Sequence, residues 1–437
     1  MTRLLTIIAT LMLLALPARA ELDIQEVTSP GGIKAWLVEE HSIPFVALEL
    51  RFRGGTSLDT DGKAGATYLM TGLLEEGAGD LNAQDFLVAR ENLATSFGFD
   101  AHGDAISISA KFLTENQDQA LELLRLALLE PRFDPDALDR VRAQVISIIA
   151  GDKQDPNEIA AEAFDRLAFG NHPYAIPSTG TNDSVNRLTR EDMLDAHANA
   201  LARDRMYVAV VGDVTAAELG PMLDVLLGEL PETGAPIPAR TDISLTGGVT
   251  VIDLPTPQSV AVFGHAGIRR DDPDFFAAYV MNQVFGSSGF TSRLTSEVRE
   301  KRGLTYGVYT YLASYDLAEL FMGSVASAND RIAEAISVIR DEWRKMAENG
   351  VTEEELLAAK KYLTGAYPLR FDGNTRIASI LAGMQLDNLP TSYVKTRNDQ
   401  VNAVTKDDVA RVARRLLKPD NLRVVVVGRP VGISSTD

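Results

Sequence analysis

The stretch LTREDMLDAHANALARDRMYVAVVGDV runs from Leu188 to Val214, and its pattern returns as VTKDDVARVARRLLKPDNLRVVVVGRP from Val404 to Pro430. Thr189 pairs with Thr405 and Gly212 with Gly428 at one offset (405 − 189 and 428 − 212), so no gap separates the copies. Each copy opens on a threonine, a good helix N-cap, followed by acids that suit the positive end of a helix. An amphipathic helix follows. It gives way to a continuous apolar run, Tyr207–Val211 or Val424–Val427, of the kind that reads as a buried strand. A glycine ends each run. A repeat of this size marks two similar structural units.

Working outward, the earlier parts of each half also correspond. Ile43–Leu50 opens a strand in the first half and Gln258–Phe263 in the second. Each is followed by a turn and then a helix, over Ala64–Leu74 and Pro273–Phe285. A long helix recurs over Leu138–Ile149 and over Glu353–Leu363. Strands mixed with grouped long helices give the α+β class, expected here as two homologous domains, each a mostly antiparallel sheet packed with helices. Between them lies Pro231-Glu232-Thr233-Gly234-Ala235-Pro236-Ile237-Pro238, an extended proline-rich linker. The expected division is residues 21–230, a linker over 231–245, and 246–437, making two lobes with a space between them.

The chain has 437 residues, 45% hydrophobic and 24% charged, enough for a large core and too long for one ordinary domain. Residues 1–20 read as a secretory signal: Arg3, an apolar run Leu4–Leu16, then Ala18-Arg19-Ala20 before a mature start at Glu21. The run is too short to span a bilayer comfortably and no later stretch could, so a periplasmic or secreted protein with no membrane insertion is expected. No cysteine is present, which excludes disulfides, thiolate metal sites and cysteine nucleophiles. The formal charge is −19, and it disfavours nucleic acid and anionic lipid as partners.

The second half holds the most specific motif, FGSSGFTSRLTSEVREKRGLTYGVYTYL, Phe285 to Leu312. It reads as a flexible Gly286–Gly289 turn, a helix over Thr291–Lys301, a close at Arg302-Gly303, and an alternating strand over Leu304–Leu312. The glycine turn lacks the lysine of a phosphate-binding loop. This segment resembles the C-terminal domain of the insulinase/pitrilysin (inverzincin) zinc metallopeptidases. By that resemblance Arg293 and Tyr306 reach across to a substrate held at the zinc site of another half. Arg293 offers a fork of five donors and Tyr306 a phenolic hydroxyl, suited to a peptide carbonyl or its oxyanion. The alternative is that Arg293 is a surface ion-pair partner and Tyr306 a half-buried strand residue.

The resemblance also locates what is missing. The family's H-x-x-E-H motif places two histidines on one helix face to bind zinc, with a glutamate that activates water. In GATYLMTGLLEEGAG, from Gly65, those positions hold Tyr68, Thr71 and Gly72. The third ligand position falls near Ser147 or Ile148, just before Asp152-Lys153-Gln154-Asp155-Pro156. No substitute set is evident. His41, His102, His172, His197 and His265 lie too far apart in sequence for a helical pair, and Glu75 and Glu76 read as solvated helix-end acids.

The resemblance therefore implies a metal-free subunit of a heterodimeric periplasmic metallopeptidase. It would have no cofactor of its own, a homologous zinc-bearing sister as partner, and peptides as substrates. Two other readings stand beside it: an inert structural or peptide-binding scaffold of the same fold, and an autonomous peptidase with unusual ligands.

Overall fold

A computed structural model describes residues 22–287 and 292–436. The expected signal sequence and the mature start at Glu21 lie outside the described residues.

The repeat is built as it reads. Thr189 accepts a hydrogen bond from the Asp192 amide and Asp192 returns one from Thr189, a reciprocal cap that opens the helix Arg190–Ala200. Thr405 and Asp408 do the same for Lys406–Leu416, whose last turn carries Arg414 and Arg415 at the negative end of the helix dipole. The strands Met206–Gly212 and Arg423–Gly428 follow. Gly212 and Gly428 end them with φ of 146° and 144°. A Cβ on Gly212 would lie 2.3 Å from the Phe45 carbonyl oxygen, and one on Gly428 would lie 2.4 Å from the Ser259 hydroxyl. Each glycine lets its strand turn away tight against the start of a neighbour.

The first sheet runs in the order Gln25–Thr28, Lys34–Glu39, Met206–Gly212, Phe45–Arg53, Ala105–Leu113, Ser96–Ala101. The second runs Gly248–Asp253, Arg423–Gly428, Gln258–Ala266, Glu319–Ala328, Val308–Ser314. In both, the repeat strand pairs parallel to one neighbour and antiparallel to the other, and the remaining pairs are antiparallel. The α+β class with two similar, mostly antiparallel halves is thus what the chain adopts. One face of each sheet packs on helices of its own half. Phe52, Ile106 and Val210 meet Leu69, Leu124 and Leu223 in the first, and Phe263, Phe321 and Val424 meet Phe285, Trp343 and Val412 in the second.

The other faces explain why the repeat strands are apolar throughout. A strand covered on both sides has no face left for polar residues, and Val424–Val427 are all buried. The second cover comes from the opposite half. The helix Asn374–Leu386 lays Ile377, Leu381 and Met384 on Val38, Ala47 and Val211 of the first sheet. The helix Pro156–Phe169 lays Ala160, Phe164 and Phe169 on Val260, Met322 and Val425 of the second. Polar ties reinforce the exchange: Arg53 binds Asp316 and the Leu386 carbonyl, and Gln385 donates to the Val208 carbonyl at 2.8 Å.

The expected open space between two lobes is therefore filled by helices that each half lends the other. The linker is tied down as well, through Ala235 N–H to the Asn199 carbonyl at 3.0 Å and Thr241 N–H to the Leu317 carbonyl at 2.9 Å.

Candidate functional site

The short helix Ala66–Thr71, with its C-cap Gly72, carries the positions Tyr68, Thr71 and Gly72 that the resemblance assigns to the zinc motif. Its start is held by Asp59, which accepts from the Gly65 amide at 2.7 Å and from the Thr67 amide and hydroxyl at 2.9 and 2.7 Å. Burial pushes the Asp59 carboxyl up, and these bonds oppose the shift. Leu69, Met70, Leu73 and Leu74 anchor the element in the core. The three motif positions are then occupied by groups with other tasks. Tyr68 packs half-buried on the core. The buried Thr71 hydroxyl donates to the Tyr68 carbonyl at 2.9 Å. Gly72 has no side chain, and a Cβ there would lie 3.2 Å from Val141 on the helix Pro135–Asp152.

On that second helix Ser147 and Ile148 point to solvent. A catalytic zinc needs three protein nitrogen or oxygen ligands about 2.0–2.2 Å from one point. Tyr68, Thr71, Gly72 and these two residues do not fit it. Among the described residues, no group of three His, Cys, Asp or Glu side chains stands close enough to hold an ion.

The neighbouring acids differ from their expected state. Glu75 is ion-paired with Arg90, and Glu76 with Arg140 of the second helix, so neither is simply solvated. The Glu76–Arg140 pair ties the end of the first helical element to the helix Pro135–Asp152, while Glu75 reaches Arg90 on the helix Ala83–Asn92.

The histidines are dispersed. His41 lies between Asp213 and Glu39, at 2.8 and 3.2 Å. His197 bonds the Leu128 carbonyl at 2.7 Å, and His265 accepts from the Trp343 indole at 3.1 Å. His172 accepts from the Tyr174 amide at 3.2 Å and bonds the Ala239 carbonyl at 3.1 Å, a structural clip on the linker. His102 stands exposed at a hairpin turn.

The second motif departs from its expected form in a way that separates Arg293 from Tyr306. The described part of the segment is not an ordinary helix up to Lys301 but includes a π-helical turn, Thr295–Glu300, closed by the Leu304 amide on the Val298 carbonyl at 3.0 Å. Arg293 enters it with both prongs on Glu355, at 2.6 Å each, and a further bond to the Gly350 carbonyl at 2.9 Å. Its side chain is only 18% exposed. That fork is engaged inside the domain in a bidentate ion pair. Glu355 also caps the helix Glu353–Ala366 together with Thr352. The pair therefore locks the motif to the start of that helix, and the Arg293 guanidinium holds the Glu355 carboxyl below its usual range against the opposing pull of burial.

Of the other arginines in the segment, Arg302 pairs with Glu297 at 2.7 Å and Arg299 is half-buried on the π turn.

Tyr306 has the opposite character. The expected strand from Leu304 starts only at Val308, because Thr305 diverts the backbone. Its hydroxyl accepts from the Gly307 amide at 3.0 Å and donates to the Ala326 carbonyl at 2.6 Å, a side-chain turn that competes with the sheet ladder. Tyr306 sits at the apex of that turn, 89% exposed, rather than half-buried in the sheet. Tyr309 and Tyr311 follow on the edge strand, partly exposed and stacked with centroids 6.2 Å apart. The Thr352-x-x-Glu355 pattern announces a helix cap in the sequence. Its union with Arg293, 62 positions away, has no sequence signal.

Comparison with known proteins bears on the family of both halves. Residues 34–182 match the family model described as Insulinase (Peptidase family M16). Residues 187–363 match the one described as Peptidase M16 inactive domain, which spans the linker. A Helicobacter pylori protein named non-peptidase homolog YmxG is 26% identical over 85% of this chain and 86% of its own length. An uncharacterized zinc protease of Streptomyces coelicolor is 25% identical over 90% of this chain and 87% of its own. The crystal structure of a peptidase M16 inactive domain from Pseudomonas fluorescens superposes with a TM-score of 0.87 at 29% identity, over 95% of this chain and all of that one. A protease from Helicobacter pylori superposes at 0.84 with 17% identity, over 93% of this chain and all of that one, a likeness of fold. The chain belongs to the insulinase-type peptidase family M16, and its sequence contains no H-x-x-E-H motif.

Proposed function

We propose that this chain is the metal-free subunit of a periplasmic peptidase pair, completing the site of a homologous sister that carries the zinc. The observation that carries the reading is Tyr306, a phenol 89% exposed on a turn built by Thr305, in a chain whose metal positions are Tyr68, Thr71 and Gly72. A presented hydroxyl can hold a peptide carbonyl and stabilise charge that develops on its oxygen. Arg293 acts through Glu355 as a positioning residue, fixing the turn that leads to Tyr306.

The test is reconstitution with a sister bearing an intact H-x-x-E-H helix. Tyr306→Phe is expected to lower turnover by roughly 10²-fold, the scale of one lost oxyanion donor, with assembly unchanged. Arg293→Ala should lower kcat more than it alters KM, and Arg293→Lys should restore only part, because an ammonium cannot grip Glu355 with two prongs. Full turnover by the Tyr306→Phe pair would remove the role.

The name non-peptidase homolog borne by the Helicobacter pylori relative suits a second reading, an inert scaffold. In that case the sister's peptidase rate is the same with and without this chain. One-to-one zinc in the isolated chain would instead revive an autonomous peptidase.

A further inference from the structure

In the second half a cavity of about 400 Å³ opens between the helices Phe275–Phe285, Asn374–Leu386 and Tyr393–Ala403. It is lined by three arginines, Arg270, Arg370 and Arg397. Acids outnumber Lys and Arg in this chain by 61 to 42, so carboxylates are plentiful. Close by, Arg411 and Arg415 each reach Asp272 or Asp274. The three cavity arginines instead form no ion pair among the described residues, although the Arg270 charge is felt by the largely buried Asp387 carboxyl. Arg270 stacks on Phe275 with its guanidinium carbon 4.1 Å from the ring centroid, and donates to the Tyr393 hydroxyl at 2.6 Å. Arg397 is buried on Tyr367, 4.6 Å from its centroid, and donates to the Leu363 carbonyl at 2.8 Å and the Tyr279 hydroxyl at 3.0 Å. Arg370 stands exposed at the rim.

Three like charges around one cavity repel, and an anion between them relieves the repulsion. A guanidinium stacked on a ring keeps its in-plane N–H edge free for a carboxylate fork. The walls between the arginines are aromatic, with Phe276, Tyr279 and Tyr393 among them. One acid, Asp387, lines the cavity, which disfavours a polyanion and gives an acceptor for an N–H donor.

We propose that this cavity binds the free C-terminal residue of a peptide. The terminal carboxylate meets Arg270 and Arg370, an aromatic or aliphatic side chain lies against the rings, and the terminal amide N–H donates to Asp387. The choice of a peptide rests on the peptide-handling reading above. The site uses neither Tyr306 nor a sister subunit, so the two ideas fail separately.

The test is calorimetric titration of the full chain with acetyl-Ala-Phe carrying a free carboxylate, with its C-terminal amide, and with adenosine 5′-monophosphate. The free acid should bind, and the amide should bind at least about tenfold more weakly, the cost of one charge-assisted contact. Arg370→Ala, at an exposed position that leaves the fold intact, should weaken the free acid by about tenfold, and Arg270→Gln by at least as much. No binding of the free acid, equal binding of the amide, tighter binding of the nucleotide, or an unchanged affinity in Arg370→Ala would each overturn the proposal.

Discussion

Replacing Phe164 by alanine tests whether the two halves are one folding unit. Phe164 belongs to the first half by sequence, yet its fully buried ring lies in the cluster that covers the second sheet, beside Val260, Val262, Leu320 and Met322. A Cβ on Gly264 would sit 3.1 Å from the ring's outer carbon, so the ring rests directly on strand backbone. A hydrogen-bonded strand cannot rise to fill the hole. The loss should therefore fall toward the upper part of the ~3–5 kcal/mol typical of a buried Phe→Ala change. The chain's two tryptophans supply a reporter for each half: Trp36 in the first sheet and Trp343 in the second core. Urea unfolding followed in Trp36→Phe and Trp343→Phe backgrounds should give one midpoint for both reporters. Phe164→Ala should move both together, to lower urea. If the Trp343 signal moves while Trp36 stays, the halves unfold separately and the exchanged helices are not the coupling.

Gly428→Ala should cost ~1–3 kcal/mol, visible as a lower melting temperature, since alanine must adopt φ near 144° and press its methyl against Ser259. Burial pushes Glu49, despite its bond to Arg51, and Asp165, facing Tyr311 and Tyr315, up to about 7 each. Raised carboxyl values mean that the folded state holds protons the unfolded chain releases. Their contribution is fully present below the ordinary carboxyl range and is lost as pH rises to about 7, on the order of 1–3 kcal/mol. Denaturation at pH 5 and 8 should show it, and Glu49→Gln should flatten the profile. A double-mutant cycle of Arg293→Ala and Glu355→Gln should give a coupling of ~1–3 kcal/mol, because the bidentate pair is partly buried; additive losses would mean the contact holds nothing. Writing the motif back as Tyr68→His, Thr71→Glu and Gly72→His should still give no stoichiometric zinc by elemental analysis, since Ser147 and Ile148 supply no third ligand.

Much of the site was legible because it depends on residue identity. Imidazole, thiolate and carboxylate bind zinc, and no fold turns tyrosine, threonine and glycine into that set. The roles of Arg293 and Tyr306 were not legible in the same way. Whether an arginine meets a substrate or a glutamate depends on what stands opposite, and Glu355 arrives from another helix. Tyr306 alternates with its neighbours as a strand residue would, but the Thr305 side-chain turn takes the bonds that a strand needs there. The paired states of Glu75 and Glu76 likewise depend on Arg90 and Arg140, which sequence distance hides.

From its residues alone this chain declares a duplication, two capped helices leading to two apolar strands, and the absence of metal ligands, because capping, periodicity and ligand chemistry act over a few neighbouring positions. Tyr207–Val211 and Val424–Val427 also read as buried strands. What covers them was decided only by the tertiary structure. The hydrophobic effect is non-directional and registers how much apolar surface is removed from water, not which segment removes it. Here each half's second layer is a helix belonging to the other.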